Sequence, residues 1–208
     1  YKAGVAVIVA VFMCIFAVVL NRFYPKFLSD KYLFLSATLI LSTALMSRII
    51  MAFPQIPNIF VPCAFLSILF SLFFAFPLSI FTLSMLCIIF AVVSGELRIL
   101  PVWFCGGVIG AYGASFIHHR IDITKVGLWV GITNLASCAG IGLAENMPFP
   151  NIATLALWGL GSGVFSSILI NASLPYFETY FGITTDIHLL ELADLNHPLL
   201  HRLSIEAP

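Results

Sequence analysis

Residues 59–94 read IFVPCAFLSILFSLFFAFPLSIFTLSMLCIIFAVVS, a run that contains no charged residue and no histidine. A helix needs about 20 apolar residues to cross the hydrocarbon core of a bilayer, with ~17 near the lower limit. The run is too long for one crossing and about right for two. Pro77 marks the break, because proline removes a backbone donor and clashes with the preceding turn. The reading is two helices, at about 58–75 and 78–94, joined by a tight turn near Phe76-Pro77. That turn decides the parity of the chain. With it there are seven spans and the ends lie on opposite sides; without it there are six and the ends share a side.

On the N-terminal side, one apolar run covers Ala3 to Leu20 and closes at Asn21-Arg22-Phe23-Tyr24-Pro25-Lys26. A second covers Leu33 to Phe53 and closes at Pro54-Gln55-Ile56-Pro57. On the C-terminal side, Gly95-Glu96-Leu97-Arg98 is a polar loop, and helices follow at Pro101–Ile117, Lys125–Leu143 and Ile152–Ala172. His118-His119-Arg120-Ile121-Asp122 and Glu145–Pro150 separate them. The expected architecture is all-α. A membrane bundle of seven transmembrane helices occupies residues 1–174, and a short cytoplasmic helical linker occupies 175–208.

Composition agrees. Hydrophobic residues make up 61% of the chain and charged residues 9%, against about 25% charged in a soluble domain. The lipid bilayer is therefore the first partner. A formal net charge of zero excludes nucleic acid, which needs a basic face. Cys14, Cys63, Cys87, Cys105 and Cys138 all sit inside apolar runs with no CxxC pair, and read as small buried hydrophobes. With the N-terminus outside, the inner side collects Arg22, Lys26, Lys31, Arg120, Lys125 and Arg202, and the outer side Lys2, Arg48 and Arg98. Basic residues favour the cytoplasmic side, so the N-terminus is expected outside and the C-terminus in the cytoplasm.

Lipid supplies no hydrophobic drive for helix association, so small residues that let backbones approach carry much of it. The last three helices each show such spacing: Gly106 and Gly110, Gly127 and Gly131, Gly159 and Gly163. They are expected to form a compact bundle, while the first four, bulkier and Phe-rich, face lipid or a partner. Asn134 and Asn171 are the candidate intramembrane polar site. The plain alternative for both is an interhelical hydrogen bond. Leu160-Gly161-Ser162-Gly163 has Leu where a rhomboid GxSG motif needs Gly. The spans hold no histidine base and no aspartate pair, so neither intramembrane protease class fits. His118 and His119 point about 100° apart on a helix and read as an interfacial anchor.

The tail carries His188, Glu191, Asp194 and His197 at spacings of three, ended by Pro198. This reads as a solvated face on two short Leu-rich helices. Leu174-Pro175-Tyr176-Phe177-Glu178, then Leu189-Leu190-Glu191-Leu192-Ala193-Asp194-Leu195-Asn196-His197-Pro198-Leu199-Leu200, then Glu206-Ala207-Pro208 resembles the seven-transmembrane HD receptor family of bacterial plasma-membrane proteins. The family pattern there runs LPxFE, LLELAxxNHPLL, EAPGTYHHS.

The resemblance implies an extracellular domain before the helices and a cytoplasmic HD phosphohydrolase domain after them. That second domain would bind two divalent metal ions and hydrolyse cyclic di-AMP, its first ligand histidine falling just after Pro208. No catalytic residue, metal ligand or cofactor is then expected in these 208 residues. The implied role is a membrane anchor and signal-transmitting domain of a cyclic-di-AMP phosphodiesterase. Its coupling linker would include Pro175, Phe177, Glu178, Leu190, Glu191, Asn196, Pro198, Leu199 and Leu200. Partners would be the chain's own sensor and HD domains, and a second copy of the chain. The competing readings are a small-molecule permease, with Asn134 and Asn171 lining a path, and a passive anchor.

Overall fold

The computed structural model of the chain describes residues 2–117 and 119–182. Among these are seven α-helices and no strand: α1 (Lys2–Phe23), α2 (Asp30–Ala52), α3 (Cys63–Phe73), α4 (Phe76–Ser94), α5 (Leu100–Ala114), α6 (Arg120–Ala144) and α7 (Phe149–Phe181). Six are long and apolar enough to cross a membrane; α3, with 11 residues, is not by itself.

The long apolar run does split in two, but not where expected. Pro77 lies in the first turn of α4, where proline costs least. The chain reverses at Phe74 and Ala75, both outside helical geometry. Pro62 makes a second break that the expected helix at 58–75 overlooked. It holds Val61 at φ −58° and ψ 122°, because the residue before proline is pushed out of the helical region. A 3-10 turn at Asn58–Phe60 and the bend at Pro62 therefore replace the upper third of that helix.

The segment still joins the two ends of the bundle. Asn58 and Ile59 line one cavity with Glu96, Arg98 and Glu145 at one end. Phe74 packs on Phe27 and Tyr32 at the other, with ring centroids 5.1 and 5.8 Å away. The chain thus traverses the bundle seven times.

α3 is also the centre of the fold. Every residue from Cys63 to Phe70 is buried, with α2, α4, α5 and α7 around it. A helix apolar on all sides is one enclosed by protein or lipid. The expectation that the first four helices face lipid fails here. Of the described side chains of α1, only Leu20 is buried.

Two further boundaries differ for identifiable reasons. α6 starts at Arg120, not Lys125, because His119 and Asp122 form a capping box. The Asp122 carboxylate accepts the His119 N–H at 3.0 Å, satisfying an otherwise orphaned donor. α7 runs through Pro175 and ends at Phe181, where Gly182 takes the left-handed conformation (φ 59°). The division drawn between residues 174 and 175 therefore falls inside a helix.

Candidate functional site

The closest helix pair is α6 and α7, antiparallel and joined by glycines. A Cβ on Gly131 would lie 2.8 Å from the Leu160 carbonyl oxygen, and one on Gly159 would lie 3.0 Å from that of Asn134. A Cβ on Gly127 would meet Ser167 Oγ at 2.6 Å. Gly163 is tightest: its Cβ would meet the backbone nitrogen of Gly131, the Gly131 Cα at 2.5 Å and the Gly127 oxygen at 2.7 Å. These four glycines form one seam on which backbone rests on backbone. Gly106 and Gly110 carry α5 onto the same unit. The first faces the Asn134 side chain; the second sits between Ile68 of α3 and Val130 of α6.

Asn134 is the polar centre of the seam. It is 5% exposed, and its Nδ2 donates to Ser162 Oγ at 2.8 Å. Ser162 in turn donates to the Gly159 carbonyl at 2.8 Å. The amide is wedged against Gly106, so one side chain touches three helices. Its Oδ1, like Trp103 Nε1, has no hydrogen-bond partner among the described residues. Asn171 lies two turns beyond the glycines on the same α6–α7 interface. It donates to the Ser167 carbonyl at 3.2 Å and, at 3.5 Å, to Thr124 Oγ1. Both asparagines find their partners within the seam.

A second polar ladder escaped the sequence reading. Ser67 and Ser71 of α3 donate to the carbonyls of Gly107 (2.8 Å) and Ala111 (2.9 Å) of α5. Ser79 of α4 donates to the Ser67 carbonyl at 2.6 Å. The signal was present as serines four residues apart, inside a run read only for length.

At the loop end, Arg98 reaches Glu145 at 3.1 Å and Glu96 at 3.9 Å. They rim a cavity of about 300 Å³ with Met51, Asn58 and Met147 on its wall.

Of the expected coupling residues, Pro175, Phe177 and Glu178 lie on the last turns of α7. Glu178 is buried, and Phe177 packs on Phe181 and Phe73. Leu190, Glu191, Asn196, Pro198, Leu199 and Leu200 lie outside the described residues, as do His118, His188, Asp194 and His197. Among the described residues, no group of three His, Cys, Asp or Glu side chains is placed to hold a metal.

The fold and its seam define a polytopic α-helical membrane domain with buried polar side chains that hydrogen-bond between helices. Residues 2–185 match the family model described as 7TM receptor with intracellular HD hydrolase. The chain belongs to that family.

Among its relatives is the cyclic-di-AMP phosphodiesterase PgpH of Bacillus subtilis, 36% identical over 108 residues, which are 51% of this chain and 15% of that protein. The protein of the same name in Listeria monocytogenes is 34% identical over 92 residues, 43% of this chain and 13% of that protein. An uncharacterized protein of Synechocystis, slr0104, is 30% identical over 104 residues, 46% of this chain and 12% of that protein. The matched stretch is thus less than a sixth of each relative. No solved structure matches the chain.

Proposed function

We propose that this chain anchors a cytoplasmic HD phosphohydrolase domain in the bacterial plasma membrane and transmits a signal to it from an extracellular domain. The observation that carries the reading is α7. Its 33 residues extend about 50 Å at 1.5 Å per residue, against a hydrocarbon core of ~30 Å. About 20 Å of helix is therefore in excess of the hydrocarbon core, and the part beside α6 is locked to it by backbone contact. A shift of the α6–α7 unit would be delivered along one helix to Pro175, Phe177 and Glu178. From there it would pass through Leu190, Glu191, Asn196, Pro198, Leu199 and Leu200 to the catalytic domain.

The names of the Bacillus and Listeria relatives support cyclic di-AMP as the substrate of that domain, where two divalent metal ions would be held. The loop charges support an outside N-terminus. Arg22, Lys26, Lys31, Arg120 and Lys125 gather at the Phe74 end of the bundle, as cytoplasmic loops favour.

The test is phosphodiesterase activity of the full-length protein in membranes, with and without its extracellular stimulus. Gly163→Leu separates α6 from α7, and Leu199→Asp alters the linker. Changed basal activity or a lost response is expected. Wild-type behaviour in both variants, inserted at normal levels, would leave a passive anchor.

A further inference from the structure

At the Phe74 end, the last turns of α5 and the first turns of α6 leave an open groove of about 390 Å³ on the outside of the bundle. Tyr112 of α5, Phe116 in the turn after it and Trp129 of α6 form its walls, each more than half exposed. Gly113 and Val126 form its floor. A Cβ on Gly113 would already lie 2.8 Å from Val126, so the helices touch beneath the groove and close it below. From Phe116 back to Ile109 it runs about 10 Å toward mid-membrane. Lys125 and Asp122 stand at its polar mouth.

The charges at that mouth are unequally directed. Asp122 is turned into the structure: one oxygen accepts the His119 N–H, the other Lys125 Nζ at 2.7 Å, and its side chain is 18% exposed. The Lys125 side chain is 67% exposed. An ammonium has three N–H donors, so this bond leaves two. The N-terminus of α6 contributes the positive end of its helix dipole.

We propose that this groove binds one anionic phospholipid of the adjacent leaflet. The headgroup phosphate lies on Lys125 Nζ, and an acyl chain lies along Ile109, Tyr112, Phe116 and Trp129. An apolar trough open to the bilayer takes a chain whatever the headgroup. Lys125 gives one of its three N–H groups to Asp122 and turns its exposed side outward, and that makes the site prefer a negative one. Basic sites between transmembrane helices select anionic headgroups on this principle.

Bromolipid quenching tests it in the full 208-residue chain. Trp158→Phe leaves Trp129 as the lipid-facing indole, since Trp103 is 2% exposed. Phosphatidylcholine vesicles are doped with brominated phosphatidylglycerol or brominated phosphatidylcholine. Brominated phosphatidylglycerol should bind at Trp129 about five-fold more tightly, the effect of roughly one basic residue near a membrane surface. Lys125→Ala and Lys125→Glu should abolish the preference and Lys125→Arg keep it, with quenching by phosphatidylcholine unchanged. Millimolar inorganic phosphate should not compete.

Equal quenching by both lipids overturns the proposal, as does a preference that survives both charge-removing variants. Loss of the preference in free phosphate would mean an ion site. Absence of quenching by either lipid would mean that protein covers the groove, by a second copy or another segment. Either result refutes the lipid assignment.

Discussion

Gly163→Ala adds one methyl group at the tightest backbone-to-backbone contact of the bundle. That methyl would lie 2.5 Å from the Cα of Gly131 and 2.7 Å from the carbonyl oxygen of Gly127, whereas ordinary contact begins near 3.4 Å. No rotamer change relieves it, because the opposing atoms are backbone. α6 and α7 must part by about 1 Å, and a gap of that size forfeits a quarter to a half of the dispersion well for facing atoms. Overpacking of this kind costs about 1–3 kcal/mol. Association in lipid rests on packing rather than a hydrophobic drive, so about 2–3 kcal/mol is expected.

Gly161→Ala, two residues away on α7, is the matched control. Its methyl meets only a ring carbon of Phe60, at 3.5 Å, and gains up to about 1 kcal/mol of helix propensity. Reversible SDS unfolding in mixed micelles, followed by tryptophan fluorescence, reads both. The two variants should differ by about 3 kcal/mol with opposite signs relative to wild type. A difference under ~0.5 kcal/mol would show that the seam yields freely, and the argument for α6–α7 as one body would fail.

A double-mutant cycle on Asn134→Ala and Ser162→Ala should give a coupling of about 0.6–1.7 kcal/mol, the range for hydrogen bonds between membrane helices; zero coupling would place the bond outside the folded state. Glu145→Gln should cost no more than ~0.5 kcal/mol, because its partner Arg98 has a half-exposed side chain and such pairs are screened. The loss should vanish in 1 M salt, and a larger, salt-insensitive loss would refute the assignment. Asn146→Cys lies in the α6–α7 loop and Tyr24→Cys in the α1–α2 loop. In cells, a membrane-impermeant maleimide should label the first and not the second, and the reverse pattern would invert the orientation.

The number of helices was legible because charge and length are coarse signals that a bilayer enforces. The glycine pairs were legible because close approach of backbones needs small residues at a helical period. Register between helices was not. Nothing in the spacing says that Gly106 faces an asparagine, or that Gly107, outside the expected pairs, rests on Leu83. The Ser67–Ser71–Ser79 ladder was hidden because serine raises no alarm in an apolar run. The capping box of α6 was hidden because histidine is an unusual cap. The depth of α3 was hidden because lipid and protein interior demand the same residues of a helix. Hydropathy alone cannot tell the central helix from the peripheral α1.

That shared demand has a consequence for how the chain enters the membrane. Eleven helical residues reach ~16 Å, about half the hydrocarbon thickness. Alone in lipid, the bend at Val61-Pro62 would hold backbone polar groups in hydrocarbon, which is tolerated only under a cover of protein. That cover includes α7, whose Trp158 and Phe165 pack on Phe60 beside the bend and which is synthesised later. The segment that sets the parity of the chain therefore cannot settle when it leaves the ribosome. Its cover is complete only after α7 has arrived.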